Sequence, residues 1–141
     1  MDFEKIKSIC KKCNAFCCKI NGTVFTESEK RKIKDLGLVK EGKSYWTKGD
    51  LCPYLKGDKC SIQSCKPTIC KIWPVSARIV KGKRKYVLIN CPLAKHLSKD
   101  DISCLISLAE KLPDETFKLE WSMSTKHRKL INKFKLMPIN I

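Results

Sequence analysis

Residues 10–18 read Cys10-Lys11-Lys12-Cys13-Asn14-Ala15-Phe16-Cys17-Cys18, a C-x2-C-x3-C-C run, and its reading decides the class of fold. Two thiolates separated by two residues can reach one metal, because a tight turn brings both sulfurs to the same side and its amides can hydrogen-bond the sulfur charge. A single C-x2-C is a weak signal; two more thiols directly behind it make a strong one. Cys17 and Cys18 are adjacent and point apart in extended backbone, so they can serve different sites. The run precedes every predicted helix and strand, and a loop suits metal binding.

Further along stand Cys52-Pro53-Tyr54-Leu55, Cys60, Cys65, Cys70-Lys71-Ile72-Trp73-Pro74 and Cys91-Pro92. Proline after Cys52 and Cys91 biases the cysteine to extended backbone and excludes helix there, which fixes the direction of a ligand.

The chain has 141 residues, ten cysteines and a formal net charge of +16. This length predicts one domain, residues 1–141, with a cysteine-rich part (1–94) and a helical C-terminal part (95–141). The first part holds 21 basic and 8 acidic groups, the second 9 and 6, so thiols and positive charge share one region. With 43% hydrophobic residues the chain can build a core and is not a charged disordered tail. Lysines interrupt every apolar run before the roughly 18 residues that a spanning helix needs, so no membrane association is expected. Met1 to Ser8 carry Asp2 and Glu4 among lysines with no apolar stretch behind them, and a cytoplasmic location is the expectation. There thiols stay reduced, and ten cysteines read as metal or cluster ligands, or redox-active groups, before disulfides.

Thr26 and Glu29 match a capping box, which predicts a helix running to about Leu36 and closed by Gly37. Ser44 to Thr47 suits a short strand, and Lys56, Gly57 and Asp58 a turn. Val75 to Val80 and Tyr86 to Ile89 read as a hairpin around Lys81, Gly82, Lys83 and Arg84. Ser98 and Asp101 repeat the capping spacing, with Ile102, Leu105, Ile106, Ala109 and Leu112 following at helical period until Pro113. Asp114 and Glu115 open another helix with Phe117, Trp121 and Met123 on its apolar side, and a last helix is expected from about Thr125 to Phe134. Cys104 beside Leu105 reads as a small buried hydrophobe. Trp46, Trp73 and Trp121 read as core or as cover over a metal. The expected fold is a small α+β domain organised around metal, with short strands, a hairpin and C-terminal helices.

Taken together, C-x2-C-x3-C-C, C-P-Y-L-x4-C-x-I, K-P-x2-C-K-x-W-P and a distant C-P resemble the CxxCxxxCC family of zinc- or iron-chelating proteins. The resemblance covers roughly Cys10 to Pro92, and it places the family's metal-ligand pattern on Cys10, Cys13, Cys17, Cys18, Cys52, Cys60, Cys70 and Cys91. Cys65 and Cys104 fall outside it. Relatives usually carry an aromatic residue where this chain has Gln63, and Arg where it has Lys66 and Lys71, so the positive charge is kept without the planar fork. Longer relatives include flagellin lysine methylases.

Eight thiols divide into two four-thiolate sites, or one such site with four residual thiols. His96 and His127 are too few and too far apart for zinc sites of two cysteines and two histidines. Only one knuckle is present, and beyond it Cys52, Cys60, Cys65, Cys70 and Cys91 are separated by eight, five, five and twenty-one residues. Scattered ligands favour an iron-sulfur (4Fe-4S) cluster over zinc, although thiolate softness accepts both. The favoured function is electron transfer, redox sensing or cluster-dependent chemistry with a redox or protein partner. Two alternatives stay open. One is a zinc-stabilised module binding nucleic acid or an acidic partner through Lys81-Gly82-Lys83-Arg84-Lys85-Tyr86, less favoured because thiolates offset part of the charge. The other is a methyltransferase-like enzyme, for which no nucleotide fingerprint and no catalytic residue can be named.

Overall fold

The capping box at Thr26 forms as predicted, but the helix behind it is a single turn. In a computed structural model of the chain, which describes Glu4 and residues 22–48, 52–57, 59–89, 91, 93–122 and 136–139, strand β1 (Val24–Thr26) runs into α1 (Glu27–Lys30). The expected extension to Leu36 fails for a physical reason: residues 30–36 offer only Ile33 and Leu36 as apolar side chains, too few to bury a stripe, and a short helix without one is marginal. Instead the Asp35 carboxylate accepts from the backbone N–H groups of Gly37 (2.9 Å) and Leu38 (2.8 Å). Those two bonds, with help from Lys30, hold the Asp35 carboxyl below its ordinary range. The turn sends Ile33 and Leu38 back onto a cluster of Phe25, Cys52 and Tyr54.

Strands β2 (Val39–Glu41) and β3 (Ser44–Trp46) follow, and β3 lies between β1 and β2, antiparallel to both. The predicted strand at Ser44 is therefore the centre of a sheet whose other hairpin partner had no clear signal. A second small hairpin, β4 (Leu55–Lys56) and β5 (Lys59–Cys60), turns at Gly57, whose φ of +63° suits glycine. A 3-10 turn (Gln63–Cys65) and the one-turn helix α2 (Thr68–Lys71) lead to β6 (Val75–Val80).

β6 pairs antiparallel with β7 (Lys83–Ile89), and the closing pair is Val80 with Lys83. The turn is thus two residues, Lys81 and Gly82 at φ +52° and +74°, rather than the four expected. Both central residues in the left-handed region match the right-handed twist of the strands, which lets Lys83, Arg84 and Lys85 join the ladder. β8 (Leu136–Pro138) adds to the far side of β7. Sequence patterning did not reveal it, and the helix expected over 125–134 lies outside the described residues.

Helices α3 (Lys99–Ala109) and α4 (Asp114–Ser122) form where predicted, α3 with a complete Ser98–Asp101 capping box. Leu105, Ile106, Ala109 and Leu112 are buried against Val75, Ala77 and Leu88 of the hairpin. Cys104 corrects its prediction: it sits one position off that stripe and is exposed. The α+β class holds.

Arg84 ties these layers together. Its guanidinium donates to the Ala109 carbonyl (3.0 Å), the Leu112 carbonyl (2.7 Å) and Asp114 Oδ1 (Nε, 2.8 Å), and lies 4.9 Å from the Phe117 ring. It therefore adds a second donor to the last carbonyl of α3, which also accepts from the Leu112 N–H, satisfies the Leu112 carbonyl in the loop beyond and pairs with an acid in the first turn of α4. Arg84→Met should lower unfolding free energy by about 1–3 kcal/mol in urea denaturation, because it leaves the Leu112 carbonyl and Asp114 without their guanidinium donor. Arg84→Lys, which keeps charge without the fork, should recover less than half of the loss.

Candidate metal centre

Four of the eight predicted ligands, Cys10, Cys13, Cys17 and Cys18, lie outside the described residues. The other four are placed on separate elements: Cys52 in the loop before β4, Cys60 in β5, Cys70 in α2 and Cys91 just after β7. Cys52 and Cys91 are buried, with 9% and 7% of their surface exposed, and Cys60 and Cys70 are half-buried. No disulfide joins two described cysteines.

Cys52 and Cys65, the latter outside the family pattern, lie within electrostatic reach of Cys60. Burial pushes the Cys60 thiol up, the charges of Cys52 and Cys65 push it further, and Lys66 opposes them. Lys66 thus sits where a positive charge offsets thiolate. Among the described residues, no three Cys, His, Asp or Glu side chains gather closely enough to hold a metal ion. Cys52, Cys60, Cys70 and Cys91 therefore do not form a four-thiolate site by themselves in this arrangement.

Cys70 is positioned through residues that sequence reasoning passed over. The Glu29 carboxylate spends one oxygen on Thr26, accepting from its backbone N–H at 3.0 Å, and the other on Thr68, accepting from backbone N–H at 2.7 Å and hydroxyl at 2.8 Å. Thr68 opens α2, so a carboxylate 39 residues away caps the helix that carries Cys70. On the other side Thr23 Oγ1 stands 3.0 Å from Cys70 Sγ. Thr23 is itself fixed to Thr47: its N–H donates to Thr47 Oγ1 at 2.8 Å, and Thr47 N–H donates to its carbonyl at 3.1 Å. Gly22 before it passes so close to Thr47 that a β-carbon would overlap that side chain. Gly22 and Thr23, where the described chain resumes, thus lie against Thr47 and Cys70.

Tyr54 of the cysteine words, with Trp46 and Trp121, is structural. Tyr54 is buried, packs edge-on to Phe25 with centroids 5.7 Å apart, and donates to the Lys34 carbonyl at 2.7 Å. Trp46 packs on Val24 and Leu119, and Trp121 donates to the Ala77 carbonyl. Pro74, after a cis peptide bond to Trp73, is buried. The donor set is soft sulfur in buried or half-buried positions, with His96 exposed, and it fits zinc or iron.

A family model described as "Putative zinc- or iron-chelating domain" matches residues 9–106. The chain belongs to that family. The matched span holds all eight cysteines of the pattern, and it makes the chain a cysteine-rich metal-binding protein, with zinc and iron both compatible. No curated protein and no solved structure matches it. Among the described residues no helix is long and apolar enough to cross a membrane.

One buried acid had no sequence signal. Glu120 of α4 is buried and accepts a hydrogen bond from the Ser76 hydroxyl of β6. Loss of hydration pushes its carboxyl from an ordinary 4.5 up to about 7, only partly opposed by Ser76. The folded chain therefore holds a proton that the unfolded chain releases between pH 4.5 and 7, so stability should fall as pH rises through that window and level off above it. Urea denaturation should show a loss approaching about 3 kcal/mol from this group, and Glu120→Gln should flatten the profile.

Proposed function

We propose that this chain carries a 4Fe-4S cluster and works in electron transfer or redox sensing. The observation that supports this reading is the spread of the described thiols over four separate elements, with the Thr23 hydroxyl 3.0 Å from the Cys70 sulfur. Structural zinc sites commonly draw their ligands from two short knuckles, whereas clusters accept cysteines from several loops, and hydrogen bonds to the sulfurs tune their potential.

Cys10, Cys13, Cys17 and Cys18 are the densest source of ligands, and Cys70 touches Thr23, close in the chain to their segment. A cluster takes four thiolates, so Cys52, Cys60 and Cys91, which complete the family pattern, belong in part to a second four-thiolate site or stay as residual thiols. When bound, a cluster supplies one-electron chemistry. The chain's own groups do the rest: the Thr23 hydroxyl donates to the Cys70 thiolate, Lys66 offsets negative charge near Cys60, and burial keeps water from Cys52 and Cys91. Lys71, exposed beside Cys70, adds positive charge at the rim.

Anaerobic purification followed by metal and sulfide analysis tests the reading. Iron with equimolar sulfide and broad visible absorption is the expected result; a colourless protein with stoichiometric zinc would reject the cluster. Cys70→Ser should lose iron. Thr23→Val should keep it and show a lower reduction potential by spectroelectrochemistry, because one sulfur loses a hydrogen-bond donor.

A further inference from the structure

The β6–β7 hairpin carries a charged face that holds none of the described cysteines. Arg78 stands opposite Lys85 and Val80 opposite Lys83, so the four side chains project from one face. Their spacing is about 7 Å along each strand and about 5 Å across. All four are exposed, as is Lys81 in the turn, and Val80 leaves 50% of its surface in water. Toward the base the same face is closed, since Ser76 and Val87 are buried and Ser76 is bonded to Glu120. Arg84 points to the opposite face, where α3 and α4 consume its donors.

Among the described residues no ion pair engages Arg78, Lys81, Lys83 or Lys85. At the inner edge of the patch the half-buried Trp121 ring lies 5.1 Å from the Arg78 guanidinium. Four cations, an exposed aliphatic side chain and an aromatic ring thus share a small surface without an acid among them.

We infer that this face binds the phosphate backbone of single-stranded nucleic acid without regard to base sequence. A flexible strand can bring successive phosphates onto cations only 5–7 Å apart, and the Trp121 ring beneath the Arg78 guanidinium holds one of those cations in place. A rigid duplex of the same charge would touch so small a patch with few phosphates. An acidic peptide would match the charge but offer no flat face to the exposed Val80. Lysine and arginine present only donors here, which suits phosphate and leaves base edges unread.

Fluorescence anisotropy of the full-length, metal-loaded protein with a labelled oligouridine 12-mer tests the inference. Binding at about 50 mM salt should weaken steeply as salt rises. The K83E/K85E variant should bind at least tenfold more weakly, with a salt slope reduced by about 1.4, two phosphate contacts' worth on a single strand. K95E/K99E, exposed in the 3-10 turn before α3 and at its first residue and equal in net charge, should change affinity less than threefold. Four results would overturn the inference: equal weakening by both variants, no binding at that salt, equal or tighter binding of a duplex of the same length, or equal binding of polyglutamate.

Discussion

The Glu29 carboxylate is the constraint on which the placement of the cysteines depends. Both helices it touches, α1 and α2, are one turn long, and a single turn cannot repay the cost of its own nucleation. Each is held because an oxygen of Glu29 receives donors at its start, from Thr26 on one side and Thr68 on the other. The same bond set joins the first sheet to the segment that bears Cys70. From there the dependence runs backwards along the chain: β1 pairs with β3, the pairing sets Thr23 against Thr47, and Thr23 meets the Cys70 sulfur. A thiol on a one-turn helix thereby gains a defined position before any metal arrives, which lowers the ordering cost of binding.

Arg84 plays the matching part for the other half of the molecule. It belongs by sequence to a run of basic residues that reads as one solvated tip, yet the two-residue turn puts it on the inward face of the hairpin. There a planar fork can serve two carbonyls and a carboxylate at once, which an ammonium could not do. The chain has only four arginines against 26 lysines. Two of the four, Arg78 and Arg84, lie against aromatic rings of α4, so the hairpin concentrates the scarcer residue where geometry matters and leaves lysine where only charge is needed.

Features governed by local chemistry were legible in the sequence. Capping boxes at Thr26 and Ser98, the strand at Ser44, the hairpin and the buried stripe of α3 all follow from residue types a few positions apart. What escaped was set by distance. The end of α1 depends on Asp35 bonding its own backbone and on Phe25 and Tyr54 drawing Ile33 and Leu38 inward. β8 exists because β7 has an edge to offer, not because residues 136–138 announce a strand. At the centre, the family's cysteine pattern could be read from the cysteine words, but Thr23 and Glu29 could not, since a threonine 47 positions from Cys70 and an acid 39 positions from Thr68 carry no mark of their partners. Glu120 likewise reads as an ordinary surface acid at helical period until Ser76 and the core close over it.

The positive charge of the chain now separates into two populations. Lys66 lies within electrostatic reach of Cys60 and can offset thiolate there. The hairpin lysines cannot do the same for Cys91, although one strand connects them. Lys83 and Ile89 are the two ends of β7, six extended steps apart or about 20 Å, and Cys91 lies beyond the far end. Exposed charges separated by more than about 8–10 Å of ordinary saline are largely screened from one another. Compensation of a metal site at Cys91 therefore does not explain why Arg78, Lys81, Lys83 and Lys85 crowd the distal face. Their mutual repulsion is a small standing cost that a bound polyanion would remove, and this makes the hairpin face a second surface rather than an extension of the metal centre.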